Sequence, residues 1–218
     1  MLRPVLNAVA LSAAWLALAG CGGGGGTVPA GGESPPPDAR ANFDRQFDRV
    51  LGIGPTLTPL TGQAAYAGQV RILTDLNPLD PREAVVGDLT MAVDFDAAVD
   101  PIFAEAGGFA GRVNGQATTL EGTLSTANAR YGPNEIVAEL LPVPEGQLPV
   151  TQTGVFVQME GRLQEPSGAM TGDATLVLRD SFFSGADGAA IFGQANGSLM
   201  PDSGDGKLLG GSFYADRQ

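Results

Sequence analysis

Histidine is absent from this 218-residue chain, and cysteine, lysine and tryptophan each occur once, as Cys21, Lys207 and Trp15. Each shortage closes a route. Without histidine there is no Ser-His-Asp or Cys-His catalytic set and no imidazole ligand for a metal. A single cysteine excludes an intramolecular disulfide, a thiolate zinc site and an iron–sulfur cluster. Basic residues are also scarce: 12 Lys and Arg against 24 Asp and Glu give a net charge of −12. That is the wrong sign for the phosphate contacts that dominate nucleic-acid binding. The sequence shows neither a long amphipathic helix nor a β-α-β alternation, which speaks against the nucleotide-binding α/β folds. Glycine, by contrast, is abundant, with 32 residues, about twice its ordinary share. With 43% of residues hydrophobic, the chain suits one domain with appendages.

The first residues carry an address. Arg3 precedes an apolar run from Val5 to Leu18, and the small residues Ala19 and Gly20 lead into Cys21. This is the layout of a secretory signal, and its apolar run is shorter than the roughly 20 residues of a membrane-spanning helix. The quartet Leu18-Ala19-Gly20-Cys21 resembles the bacterial lipobox. The resemblance implies cleavage after Gly20, diacylation of the Cys21 sulfur and acylation of its new amine, with the membrane as partner through Cys21. Acyl chains contribute about 0.8 kcal/mol per buried methylene, and stable anchoring takes more than one chain. By resemblance to lipoprotein sorting rules, Gly22 carries no inner-membrane retention signal, so the outer membrane is the expected location. Gly22–Gly26 and the run ending in Pro35-Pro36-Pro37 bury nothing and are expected to form a disordered tether. The expected parse is a signal peptide over 1–20, an acylated Cys and tether over 21–37, a short helix and lead-in over 38–60, and a β-barrel domain over 61–218.

The spacing of Phe43, Phe47, Val50 and Leu51 predicts a helix with one apolar stripe, Asp38 as its N-cap, and Gly52, Gly54 and Pro55 as its stop. The stripe is expected to pack against one end of the domain. From about Ala64 the period becomes two. Tyr66, Gly68, Val70 and Ile72 share one face, with Gln69 and Arg71 on the other. Leu89–Phe95, Phe109–Asn114, Leu120–Leu124, Val155–Leu163, Met170–Leu178, Ile191–Leu199 and Leu209–Ala215 alternate in the same way, as antiparallel strands with one wet face do. That makes eight strands, with a possible ninth at Ile136–Leu140. Asn114-Gly115, Pro166-Ser167-Gly168, Asp187-Gly188 and Asp202–Gly206 supply turns.

Gly68, Gly111, Gly122, Gly161, Gly172, Gly193, Gly197 and Gly211 fall on the apolar face of these strands. Repeated strand glycines on one face indicate tight curvature. The expected fold is therefore all-β: a small eight-stranded antiparallel β-barrel preceded by a disordered lipid-anchored tether and a short helix. A membrane-spanning barrel would carry its apolar residues outward around a polar lumen. Here charged residues alternate with a continuous apolar set, and a lipid anchor would be redundant.

Ala64-Ala65-Tyr66-Ala67-Gly68-Gln69-Val70, the Gly-x-x-x-Gly spacing of Gly193 and Gly197, and the closing Gly210-Gly211-Ser212-Phe213-Tyr214 resemble transferrin-binding-protein-B-type barrel domains and the related factor-H-binding lipoproteins. The resemblance covers about residues 60–218. It implies an eight-stranded barrel displayed on the outer membrane. The chain has room for one barrel rather than paired lobes with handle domains, so transferrin binding is not implied, and no ligand-binding residue is carried over.

Other candidate chemistry is thin. Asp94, Asp96 and Asp100, then Asp75, Asn77 and Asp80, and Asp202 with Asp205 invite a calcium reading, but none supplies the ordered ligand run of an EF-hand loop. Solvated turn carboxylates are the expectation, with no metal and no cofactor. Ser181 and Ser212 lack a histidine base, and Lys207 has no Ser-x-x-Lys context. Phe182, Phe183 and Phe192 are expected to cap the barrel end rather than to form a partner patch. The leading functional expectation is a non-enzymatic lipoprotein whose barrel binds a protein or small ligand through its loops. A structural envelope lipoprotein without a discrete ligand is the alternative. A hydrolase using paired carboxylates comes third.

Overall fold

The computed structural model describes residues 38–74, 83–113, 115–130, 132, 134–141, 150–166, 168, 170–202, 204 and 207–218. The signal, Cys21, the tether and the Asp75–Asp80 cluster lie outside the described residues. Helix α1 spans Asp38–Leu51, so Asp38 is its first helical residue. Nine strands follow: β1 (Gln63–Leu73), β2 (Ala84–Asp94), β3 (Ile102–Val113), β4 (Gln116–Ser125), β5 (Glu135–Leu141), β6 (Val150–Leu163), β7 (Gly172–Ser184), β8 (Ala190–Pro201) and β9 (Lys207–Arg217).

Eight of the strands close a ring, as the alternation predicts. Neighbours pair antiparallel, and β1 pairs with β9 from Tyr66↔Arg217 to Ile72↔Gly211. The ring shuts at β4 and β6 through Ser125↔Glu160 and the bridge Glu121↔Gln164. β5 stands outside this ring. Among the described residues it pairs only with the first part of β6, from Glu135↔Phe156 to Leu141↔Val150. β6 therefore changes partner along its length, from β5 to β4.

Two bulges reset the alternation. In β3 the inward set Ile102, Ala104, Ala106 gives way to Phe109 and Val113 across Gly108, at φ 62°. In β7 the set Ala174, Leu176, Leu178 gives way to Phe183 across Asp180, at φ 46°. An extra residue on one strand shifts which side chains face inward. Ser181 repairs the ladder at the second bulge: its hydroxyl donates to the Val155 carbonyl at 2.9 Å and accepts from the Val155 amide at 2.7 Å.

The interior is apolar, built from Tyr66, Leu89, Met159, Leu176, Ile191 and Phe213 among others. The outer wall carries Asp88, Thr90, Glu105, Arg162, Asp173 and Gln194, the reverse of a membrane-spanning barrel. Most strand glycines mark places where neighbouring chains come too close for a side chain. A Cβ built on Gly68 would fall onto the Tyr214 carbonyl oxygen, and one on Gly211 onto that of Arg71. Gly122 departs from the expected inward set: it is exposed, at φ 119°, against Arg162 on the β4–β6 seam.

The helix corrects one expectation. It lies along the outer wall, not across an end. Phe43 and Val50 are buried there against Val86, Ala190 and Tyr214, while Leu51 is 52% exposed. Asp44 pairs with Arg71 at 2.5 Å, Phe47 meets Phe192 edge-on, and Arg49 pairs with Asp216 at 2.5 Å. Since Arg71 lies near the end of β1 and Asp216 near the end of β9, α1 starts toward the Leu73 end of the barrel and runs alongside β9 toward the Ser184 end.

Candidate functional site

The two ends of the barrel differ. At the Ser184 end the segment after α1 folds over the opening: Pro55 bridges Ser184, the Thr56 amide donates to the Phe183 carbonyl at 3.0 Å, and the Thr56 hydroxyl donates to Gly185 at 2.7 Å. Beneath it Phe183 packs 5.5 Å from Tyr66 and 5.3 Å from Phe95, centroid to centroid. The Tyr66 hydroxyl donates to the Gly188 carbonyl at 2.9 Å. Burial pushes this phenol up to about 12, with Arg217 pulling the other way. Arg217 itself donates to the Asp187 carbonyl.

This arrangement divides the three phenylalanines that the sequence groups together. Phe183 seals the end from inside, as expected. Phe182 and Phe192 instead lie on the outer wall, 6.3 Å apart, with Phe192 under α1.

At the Leu73 end the interior is incompletely filled among the described residues. A cavity of about 50 Å³ is lined almost wholly by apolar groups, among them Ile72, Phe109, Leu120, Leu163, Leu176 and Leu199. Met170 and Gly197 complete parts of its wall. Leu163, Ile72 and Leu199 each keep 5–6% of their surface exposed, while Phe183 and Ile191 at the other end keep none. The sequence gives no sign of this difference, since both ends read as the same alternation.

Outside the ring, a groove of about 400 Å³ runs between β5 and the β7 bulge. Glu135, Glu139, Arg179 and Asp180 supply its charge, and Val137, Phe156 and Phe182 its apolar surface. It exists because β5 extends the wall on one side of β6 while β7 bulges away on the other.

Of the acidic turn residues, Asp94, Asp96 and Asp202 lie among the described residues with partners, and Asp205 lies outside them. Asp94 accepts from the Gln63 side chain at 2.8 Å and from the Asp96 amide at 3.0 Å, and these bonds hold its carboxyl below the usual range. Asp96 accepts from the Gly62 amide at 2.9 Å. Asp202 pairs with Arg162 and raises its pKa. Among the described residues no three His, Cys, Asp or Glu side chains gather in a metal-holding group. Ser212 accepts from Arg71 at 3.3 Å.

The fold and these surfaces define a closed antiparallel barrel with an apolar interior, a polar wall and one incompletely filled end. No protein-family model matches the chain, and no curated protein matches it.

Proposed function

We propose that the protein is an outer-membrane-anchored lipoprotein, held by acyl chains on Cys21, whose barrel is a non-enzymatic binding module recognising a protein or small ligand through its loops. The observation that carries the reading is the polar wall around an apolar interior, together with the lipobox-like quartet Leu18-Ala19-Gly20-Cys21 in the same sequence. A barrel with this wall cannot sit in hydrocarbon, so attachment to a membrane needs a separate device, and Cys21 supplies one. The groove beside β5 adds support: it combines charged and apolar lining in one recess, the mixture that ligand sites use. The resemblance to transferrin-binding-protein-B-type and factor-H-binding barrels points the same way.

The test is metabolic labelling with radioactive palmitate, followed by membrane fractionation and proteinase treatment of intact cells. Wild-type chain is expected to take up label and to sediment with the outer membrane. Cys21→Ser is expected to lose both. Label retained by Cys21→Ser, or absent from wild type, overturns the anchor; digestion of the barrel in intact cells assigns it to the cell surface, and full protection assigns it to the periplasmic face. Cross-linking of the anchored barrel is expected to capture a partner that Glu135→Lys/Glu139→Lys releases.

A further inference from the structure

We propose that the cavity at the Leu73 end is a binding site for the end of a linear alkyl chain, with Met170 as its movable plug. The inference stands on the barrel interior alone and does not rest on the anchor. Three observations carry it.

The first is the cavity's chemistry. Its wall is almost wholly hydrocarbon, and a dry cavity of this kind takes apolar guests; an engineered one of about 150 Å³ holds benzene. At about 50 Å³ this space is too small for a ring and suits a few methylenes.

The second is Gly197. Gly68, Gly111, Gly172 and Gly211 have neighbouring backbone where a Cβ would be, so closely spaced strands account for them. Gly197 is buried and inward, yet a Cβ there would meet only the Ile72 side chain, at 3.4–3.8 Å. Strand spacing does not demand a glycine at this position. Its effect is to leave room in the cavity.

The third is Met170. It lies just before β7, half-buried, packed against the core at the cavity wall, with its amide donating to Glu165 at 3.2 Å. An unbranched thioether with three rotatable bonds moves at little cost. Swung outward, it widens a space beside Ile72, Leu163 and Leu199, which keep 5–6% of their surface exposed.

The experiment uses the full chain carrying Cys21→Ser, so that no acyl chain of its own competes. Dodecanoate, dodecanol and vesicles of dilauroylphosphatidylcholine are titrated by calorimetry. Dodecanoate and dodecanol are expected to bind at one site, since the alkyl end is what the cavity recognises; binding of the vesicles alone would assign the site to membrane lipid. Gly197→Ala places one methyl in the space, in ordinary contact with Ile72, and should weaken binding about fourfold, the affinity that one buried methylene carries, without lowering the thermal midpoint. Met170→Ala should tighten binding severalfold. In the unsubstituted barrel, dodecanoate with a ¹³C terminal methyl should show nuclear Overhauser contacts to Leu176 and Leu199. No binding of any probe, or binding that both substitutions leave unchanged, or terminal-methyl contacts elsewhere on the protein, overturns the proposal.

Discussion

Tyr66 joins the core to the β7–β8 connection at the Ser184 end through its bond to the Gly188 carbonyl, and its ionisation sets an alkaline limit on the fold. The phenol is neutral when buried, with its pKa raised to about 12 from an ordinary value near 10. Between these values the unfolded chain has already lost the proton that the folded chain keeps. The resulting stability is present below pH 10 and declines as pH rises toward 12. Urea unfolding at pH 8 and pH 11 is expected to show this loss, with Tyr66→Phe losing less; Tyr214, also raised by burial, retains part of it. At pH 8 the same substitution removes the bond to Gly188 and should cost about 1 kcal/mol. Glycines make a second residue-scale contrast. Gly68→Ala should unfold the barrel, because its Cβ meets fixed backbone, whereas Gly210→Ala, with nothing within 4 Å, should leave the thermal midpoint nearly unchanged. The sequence places Gly68, Gly211 and Gly197 in one class, and only the space around each separates them.

At the scale of elements, α1 is held by its apolar face more than by its ion pairs, which are part-exposed and worth little. Phe43 is fully buried, stacks at 5.8 Å on Phe47 and lies under the Arg71 guanidinium at 4.9 Å. Phe43→Ala should cost about 3 kcal/mol in urea unfolding while the strand signal in circular dichroism persists. The helix itself is legible from Phe43, Phe47 and Val50, but its berth is not. Val86, Phe192 and Tyr214 occupy outward positions of their strands, where alternation predicts polar residues, and the pattern does not say that a helix covers them. The start of β3 is obscured for a related reason: Ala104, Ala106, Gly107 and Gly108 are too small to display an alternation, and the bulge shifts its phase. β5 reads weakly because Val137 and Ala138 are exposed on a strand with one neighbour. Its unpaired amides should exchange hydrogen faster than those of β1, which is paired on both sides, and amide exchange by NMR measures the difference.

For the whole molecule, closure was legible from eight alternating strands and inward glycines, while the asymmetry of the two ends was not. Sealing at the Ser184 end depends on a strap that returns from α1, and the gap at the Leu73 end is bounded, among the described residues, by side chains of β1, β3, β4, β6, β7 and β8. Both are properties of distant segments meeting, which a local period cannot encode. The seam follows the same logic. β4 and β6 meet through two pairs, whereas β8 and β9 share ten, from Ala190↔Asp216 to Leu199↔Lys207. The seam should therefore be the first part of the wall to open, with the amides of Glu121 and Gln164 exchanging ahead of those in the middle of β8.

The pairing of β1 with β9 carries a further consequence for how the molecule is made. The strand that leaves the ribosome first among the nine waits for the one that leaves last, and Gln218 still donates from its amide to Ala65 at 2.9 Å. Until β9 arrives, β1 and β8 are bare edges able to recruit other chains. A nascent polypeptide of this design has no finished ring until β9 has left the ribosome. Contacts that span nearly the whole domain also make that last step slow, so a premature stop before Lys207 is expected to yield aggregate and not a smaller barrel.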